Sequence, residues 1–363
     1  MKTYRAAVIG CSRIGGFIDN EVVGSPNSIP PISHAAAFEA SERTDLIACS
    51  DLREDVMEKF GERYNIPKER QYTDYEEMIA KEGLDIVSVA TQPEHREKIT
   101  VYAADHGVKA IYAEKAMAAS MAEADSMVEA CERNGVYFNL GTNRRWNPGY
   151  DKMKELIDGG ELGALKSLIS YSFGSLFNTA SHWLDLLLRL NSDHQALWVQ
   201  GQVLDDGFID GTRLTDDPRA QGMIQFENGV TAYCLQTGRG SEHEAVLENG
   251  VVTAISDGLE WQVRRAGPPD ARGRSGPLEQ GSFPSYERSS SALNLVNDLA
   301  HSLDTGEPPR GGVRVARQST ELIFAFIESH QRGGERVDIP LKGSGYRLER
   351  VRTPRQPKYE PAG

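Results

Sequence analysis

The 363-residue chain predicts an α/β protein of two parts: a doubly wound parallel sheet, then an α+β domain with an open, mostly antiparallel sheet. Three observations predict this. A short apolar run, Ala6 to Ile9, ends in a glycine turn. Apolar runs then alternate with helical patterns as far as Asn143, the signature of right-handed βαβ units. From Ala164 the segments become β-rich and several are joined by Asn-Gly or Asp-Gly turns. The length itself exceeds what one core usually supports, so a division into residues 1–143 and 144–363 is expected.

Ala6 to Gly16, AAVIGCSRIGG, reads as a buried strand feeding a helix through a tight loop. Such a turn leaves backbone N–H groups and the positive helix end free to hold an anion. The spacing is G-x-G-x-x-G with Ser12 in the middle position, where a small residue still lets a pyrophosphate approach. Gly10, Ser12, Arg13, Ile14 and Gly15 are therefore candidate dinucleotide contacts in a Rossmann domain, although an ordinary strand-to-helix turn has the same local pattern.

Gly24, Pro26, Pro30 and Pro31 interrupt the first helix, so Asp19 to Pro31 reads as an inserted loop near the mouth of the cofactor cleft. It is either a surface excursion or a specificity loop. Helix resumes around His34 to Glu42, and a strand over Asp45 to Ser50 ends on Asp51. An acid there accepts hydrogen bonds from ribose hydroxyls and repels a 2′-phosphate, which favours NAD. Arg53 keeps NADP as the lesser option; a plain helix cap is the other use for Asp51.

A helix over Asp55 to Tyr64, a short strand at Gln71 and Tyr72 and a helix over Tyr75 to Lys81 follow. Leu84 to Thr91 is apolar without alternation, as a strand covered on both faces should be. A helix over Glu94 to His106 stops at Gly107. The strand Lys109 to Ala113 leads directly into Glu114 and Lys115, and a helix over Met121 to Asn134 precedes the last strand of the domain. Beyond it, Asn147 and Pro148 start a helix that stops at Gly159–Gly160. Arg265 to Ser290, rich in Gly, Pro and Ser, reads as an exposed loop. Helices over Ala292 to Leu303 and Arg314 to Gln331 come next, and the chain from about 350 reads as a loose tail.

The net charge of −13, spread along the chain, argues against nucleic acid and against an anionic membrane surface. No apolar segment approaches bilayer length and no signal peptide is indicated. The four cysteines show no zinc-ligand spacing, so no metal site is expected and a reducing cytoplasm is the economical location.

The stretch AEKAMAAS, after a glycine-loop βαβ unit and VATQPEH, resembles the glucose–fructose oxidoreductase / inositol dehydrogenase / rhizopine-catabolism (Gfo/Idh/MocA) family. The resemblance extends to NRRWNP at Asn143 to Pro148, ASHWLDLLLRL at Ala180 to Leu190 and ELIFAFIESHQRGGERVDIPL at Glu321 to Leu341. It implies a Rossmann-type domain, an open-sheet second domain and hydride transfer between NAD(P) and a secondary alcohol of a sugar, polyol or glycoside. Glu114 and Lys115 match the family's Glu-Lys-Pro motif, which implies that both face the cofactor, with Ala116 replacing the proline. Thr91, Pro93 and His95 fall in the segment that packs under nicotinamide in relatives, and Arg145 matches a recurrent arginine near the cofactor. His182 and Asp185 match the family's D-x-x-x-H-x-x-D helix, whose leading aspartate is Asn178 here.

The resemblance implies Lys115 and His182 as catalytic groups, with Asn178, Asp185 and Arg145 toward the substrate. An imidazole titrating near neutrality suits a base, and an ammonium beside the reacting oxygen suits a developing alkoxide. Residues 178, 182 and 185 should share one helical face. Asn178 is open to a binding role, a capping role or altered chemistry. The expected partner is a small carbohydrate, and relatives imply a homodimer or homotetramer. The competing functions are NAD-dependent glycoside cleavage by transient oxidation and elimination, and a non-catalytic dinucleotide or sugar sensor.

Overall fold

The computed structural model describes residues 2–274, 276–350 and 355–361. The first part holds six parallel strands, β1 (Tyr4–Ile9), β2 (Thr44–Ser50), β3 (Gln71–Tyr72), β4 (Ile86–Val89), β5 (Ala110–Ala113) and β6 (Tyr137–Leu140), ordered β3-β2-β1-β4-β5-β6. Helices α1 (His34–Ala40), α2 (Glu54–Tyr64), α3 (Tyr75–Glu82), α4 (Pro93–Asp105) and α5 (Met121–Asn134) connect them. Apolar layers lie on both faces of this sheet, which is why Val8, Ala48, Val87 and Ile111 are all buried and the strands lack alternation. The strand order reverses between β1 and β4, and ligands of such sheets bind outside the carboxyl ends at that point.

The second part contains α6 (Pro148–Asp158), β7 (Leu165–Ser170), α7 (Ser181–Leu190), β8 (Ala196–Val203), β9 (Ile209–Asp210), β10 (Arg213–Leu214), β11 (Ala220–Phe226) and β12 (Thr231–Cys234). It continues through β13 (His243–Leu247), β14 (Gly250–Ile255), β15 (Glu260–Ala266), β16 (Leu278–Gly281), α8 (Ser291–Thr305), α9 (Val313–Gln331), β17 (Val337–Asp338) and β18 (Arg347–Leu348). Nine of these strands form one sheet, β16-β15-β14-β13-β7-β12-β11-β8-β17, in which β7 and β12 run parallel and the other neighbours antiparallel. Leu184, Leu187 and Leu188 of α7 and Phe324 and Ile327 of α9 are buried in one core with Leu168, Ile224 and Val252 of the sheet. β9, β10 and β18 make a small separate sheet.

Four expectations are corrected. The element after the glycine turn is a π-helical turn, Arg13–Phe17, and a 3-10 turn, Ile18–Asn20, rather than an α-helix. The loop Arg265 to Ser290 contains β16, which pairs with β15, and Phe283 stacks on Trp261 at 4.5 Å. Its glycines and prolines concealed a short edge strand. Helix α8 departs from a division at 143: Leu295, Val296 and Leu299 are buried beside Tyr4, Val8 and Phe38 of the first part. The tail is docked where it is described. Asn20 Nδ2 donates to the carbonyls of Lys358 and Tyr359, each at 2.8 Å, and the Tyr359 ring meets Phe17 edge-on at 5.0 Å. Residues 351–354 and 362–363 of that tail lie outside the described residues.

Candidate active site

The glycine turn is built as its residues require. Gly10 has φ +96°, and a Cβ at Gly15 would lie 1.9 Å from the Gly10 carbonyl oxygen, so neither position accepts a side chain. Ser12 is half-buried, as are Ile14 and Thr91, whereas Arg13 is exposed and pairs with Glu21 at 2.7 Å. The first N–H groups of the following turn have no partner within it. Thr91 Oγ1, past the end of β4, is buried without a hydrogen-bond partner among the described residues. Asp51 Oδ2 accepts from the Cys11 N–H at 2.8 Å and Oδ1 from the Arg53 N–H at 2.9 Å, which ties the end of β2 to the turn. Each carboxylate oxygen keeps a further lone pair. This donor and acceptor set fits a dinucleotide. Pro93 is the buried first residue of α4, and His95 is exposed on that helix.

Glu114, expected to face the cofactor, is instead turned into the fold. Its Oε2 accepts from the Lys115 N–H at 3.0 Å, and its Oε1 faces His34 Nε2 at 3.4 Å. His34 reaches Ser88 Oγ through Nδ1 at 2.5 Å and stacks on Tyr112 at 3.7 Å. Burial pushes the Glu114 carboxyl up, but the His34 bond and the charges of Lys115 and Arg96 leave it below its usual range. Burial holds His34 below its own. The Lys115–Ala116 peptide is cis, and the Arg96 guanidinium donates to the carbonyls of Ala116 and Thr91.

Lys115 is where the two parts meet. Its Nζ donates to Asn178 Oδ1 at 2.8 Å and to the Asn178 carbonyl at 2.9 Å. Asn178 belongs to a π-helical turn, Leu176–Ala180, that runs into α7. Asp217 holds that turn, accepting from the N–H groups of Phe177 and Asn178, both at 2.8 Å. Burial, with the cations Arg96 and Arg144, lowers the Lys115 pKa to about 8, against the opposing pull of Glu114 and Asp217. His182 lies one turn on. Burial, Arg144 and Lys115 together push its pKa well below its usual value, and its Nδ1 is buried without a partner among the described residues. Both burial and the two neighbouring cations favour its neutral form.

Two expected substrate contacts are not at this site. Arg145 is fully buried, and its guanidinium is saturated. Nε reaches both Asp185 oxygens at 3.0 and 3.1 Å, Nη1 reaches Asp193 at 2.9 Å and the Arg310 carbonyl at 3.2 Å, and Nη2 reaches Asp193 at 2.8 Å and the Asp185 carbonyl at 3.2 Å. Arg145 and Asp185 therefore serve the fold, and Asp185 does not converge with Asn178 and His182. The turn at 176–180, with its i to i+5 bond from Ala180 N to Ser175 O, breaks the regular spacing between Asn178 and the other two, while within α7 Asp185 is drawn to Arg145.

Of the two adjacent arginines, Arg144 is the one near Lys115 and His182. It lies in the 3-10 turn Asn143–Trp146, its guanidinium is 4.7 Å from the Trp183 ring centroid, and it is paired with Asp257. It also lines a cavity of about 140 Å³ with Ser28, Ile32, Asn143, Asp257 and Tyr286. The doubled arginine in NRRW was the available signal, since adjacent residues of a tight turn face different ways; His34, Ser88 and Asp217 carried none.

Comparison with known proteins agrees with this geometry. Residues 4–142 match the family described as "Oxidoreductase family, NAD-binding Rossmann fold". The chain is 31% identical over 361 residues to the D-apiose dehydrogenase of Paraburkholderia graminis, covering 92% of this chain and 89% of that protein. It is 25% identical to the myo-inositol 2-dehydrogenase of Thermotoga maritima, over 59% of this chain and 60% of that one. The aldose-aldose oxidoreductase of Caulobacter crescentus, solved with glycerol, superposes with a TM-score of 0.73 at 18% identity, over 93% of this chain and all of that one, and so shares the fold.

Proposed function

Because this chain belongs to the Gfo/Idh/MocA oxidoreductases, whose first domain is an NAD-binding Rossmann fold, we propose that it transfers hydride between NAD(H) and a secondary alcohol of a small sugar or polyol. The observation that carries the reading is the contact of Lys115 Nζ with Asn178 across the domain boundary, beside His182. A bound nicotinamide supplies or accepts the hydride; the chain supplies everything else.

Alcohol oxidation also requires removal of the hydroxyl proton. Proton transfer is most effective when the group's pKa lies near the working pH. Lys115, lowered to about 8, meets that condition, while burial and the cations Arg144 and Lys115 hold His182 below its usual range. We therefore assign proton exchange to Lys115, held by the uncharged Asn178 acceptor, and assign to neutral His182 a hydrogen bond that fixes the hydroxyl. In the reverse direction the Lys115 ammonium returns the proton. Asp51 at the end of β2 supports NAD over NADP, since its carboxylate repels a 2′-phosphate. D-Apiose and myo-inositol dehydrogenases among the relatives support a sugar or polyol. The open face of the nine-stranded sheet, where Tyr233 is exposed, is the surface assigned to self-association.

The test follows nicotinamide absorbance with a panel of pentoses, hexoses and inositols. Lys115→Met should lower kcat by about 10²–10⁴-fold, the usual contribution of a positioned proton-transfer group, while NADH fluorescence titrations match the parent. Full turnover in Lys115→Met would overturn the assignment.

A further inference from the structure

The insertion between Asp19 and Pro31 is pinned at both ends and at its tip. At the base, the Asp19 carboxylate accepts from the N–H groups of Ile32 and Ser33 at 2.7 and 3.1 Å. Toward the tip, Asn27 Nδ2 donates to the Ser256 carbonyl at 2.8 Å, Arg288 Nη2 donates to the Pro26 carbonyl at 2.5 Å, and Ser290 Oγ donates to the Pro31 carbonyl. Ser256 belongs to the turn after β14, and Arg288 and Ser290 precede α8. Val23, Gly24, Pro26 and Asn27 at the tip are exposed, yet hydrogen bonds to two distant parts of the chain hold the segment in place.

The space it encloses is the cavity of about 140 Å³ beside Arg144. That volume is well below the ~300–1,000 Å³ that encloses a drug-sized ligand. The lining is polar and mixed in sign. Asn143 Oδ1 is buried without a partner among the described residues and accepts hydrogen bonds. The Tyr286 hydroxyl already accepts from Trp261 Nε1 at 2.8 Å, so its own hydrogen is free to donate. The Arg144 guanidinium is neutralised locally by Asp257. Arg288 lines the cavity as well, so two guanidiniums and one carboxylate stand among amide and hydroxyl groups, a mixed set of donors and acceptors that matches neighbouring hydroxyls. Arg144 also connects this cavity to the reacting groups, since its guanidinium lies 4.7 Å from the ring of Trp183, the residue that follows His182 in α7.

We propose that the insertion is the wall of the substrate cavity, and that the cavity receives the non-reacting hydroxyls of one monosaccharide unit and excludes a second unit. The proposal rests on the dehydrogenase reading above. Asn27 and Arg288 are positioning residues in it: they hold the wall and leave the reacting atoms to others.

The experiment compares the parent with Asn27→Ala/Arg288→Ala, using neutral pentoses, hexoses, inositols and the matching disaccharides, with NAD as oxidant. The parent should turn over monosaccharides and discriminate against disaccharides. Loss of two hydrogen bonds holding the wall should raise the monosaccharide KM by about tenfold and narrow the discrimination against disaccharides, with kcat and NADH affinity near the parent's. Unchanged KM and selectivity, with turnover intact, would overturn the wall and leave the dehydrogenase reading standing. So would efficient disaccharide turnover by the parent, or a variant that loses NADH affinity instead. Calorimetric titration of the same sugars into the NADH complex separates the other case. Sugar binding that the variant weakens, in a parent without turnover, would remove the dehydrogenase and keep the wall. A parent that neither turns over nor binds any of them would remove both.

Discussion

Replacing Arg145 by alanine should unfold the protein more readily and leave its cofactor site working. The guanidinium is inaccessible to solvent and the Asp185 carboxylate is 2% exposed, so the variant leaves that carboxylate buried without its cation. Breaking a buried pair by removing one partner costs about 3–5 kcal/mol, a large part of the ~5–15 kcal/mol that holds a domain folded. Asp193 and the Arg310 carbonyl lose donors as well, which places the cost at the upper end. The pH dependence has a definite sign. Asp185 is already raised above the ordinary aspartate value, because burial outweighs Arg145. Without Arg145 its folded pKa rises further above the ~3.9 of an unfolded aspartate, so the folded state binds more protons than the unfolded one over that interval. The deficit relative to the parent is therefore greatest above the raised folded pKa and shrinks as pH falls through it toward the unfolded value of ~3.9, because the orphaned carboxyl takes its proton in the folded state first. Urea unfolding followed by the fluorescence of Trp146, buried in the adjoining turn, measures it at both ends of that range. An unchanged urea midpoint with a raised KM for NAD would refute the reasoning and return Arg145 to the cofactor.

Two further outcomes are expected. With Lys115 near 8, alcohol oxidation requires its neutral form and should rise with pH through about 8, whereas carbonyl reduction requires the ammonium and should fall through the same range. Lys115→Arg, whose charge does not titrate there, should remove both limbs; oxidation that falls through pH 8 would instead make Lys115 a fixed cation and return the base role to His182. At Gly15→Ala the new methyl would stand 1.9 Å from the Gly10 oxygen, so the turn must open. NADH affinity should drop by more than about tenfold, 1.4 kcal/mol, and a titration equal to the parent's would show that the turn does not hold the dinucleotide.

The first sheet was legible because its strands are buried on both faces, so continuous apolar runs such as Leu84 to Thr91 have one economical placement. The glycine turn was legible for a similar reason: backbone crowding at Gly10 and Gly15 admits no side chain. What failed depended on contacts distant in sequence. Arg145 and Asp185 match a motif but spend their charges on each other and on Asp193, and no local pattern records which of two adjacent arginines turns inward. Tyr359 reads as part of a polar tail until Phe17, more than three hundred residues away, gives it a surface. Strand β16 lies among glycines and prolines and exists because β15 offers it an edge.

The departure at Asn178 follows from the same distant contacts. A carboxylate at that position would lie within hydrogen-bond distance of Lys115 Nζ and, as an opposite charge, would raise the lysine pKa. The amide orients the ammonium through an uncharged oxygen and leaves burial and two nearby cations to bring it down to about 8. The local carboxylate has not vanished. Asp217 approaches from another element and uses its oxygens to hold the N–H groups of Phe177 and Asn178. A negative charge thus supports the turn from behind while the acceptor facing Lys115 stays neutral. The proton exchange proposed for Lys115 depends on that separation of support from contact.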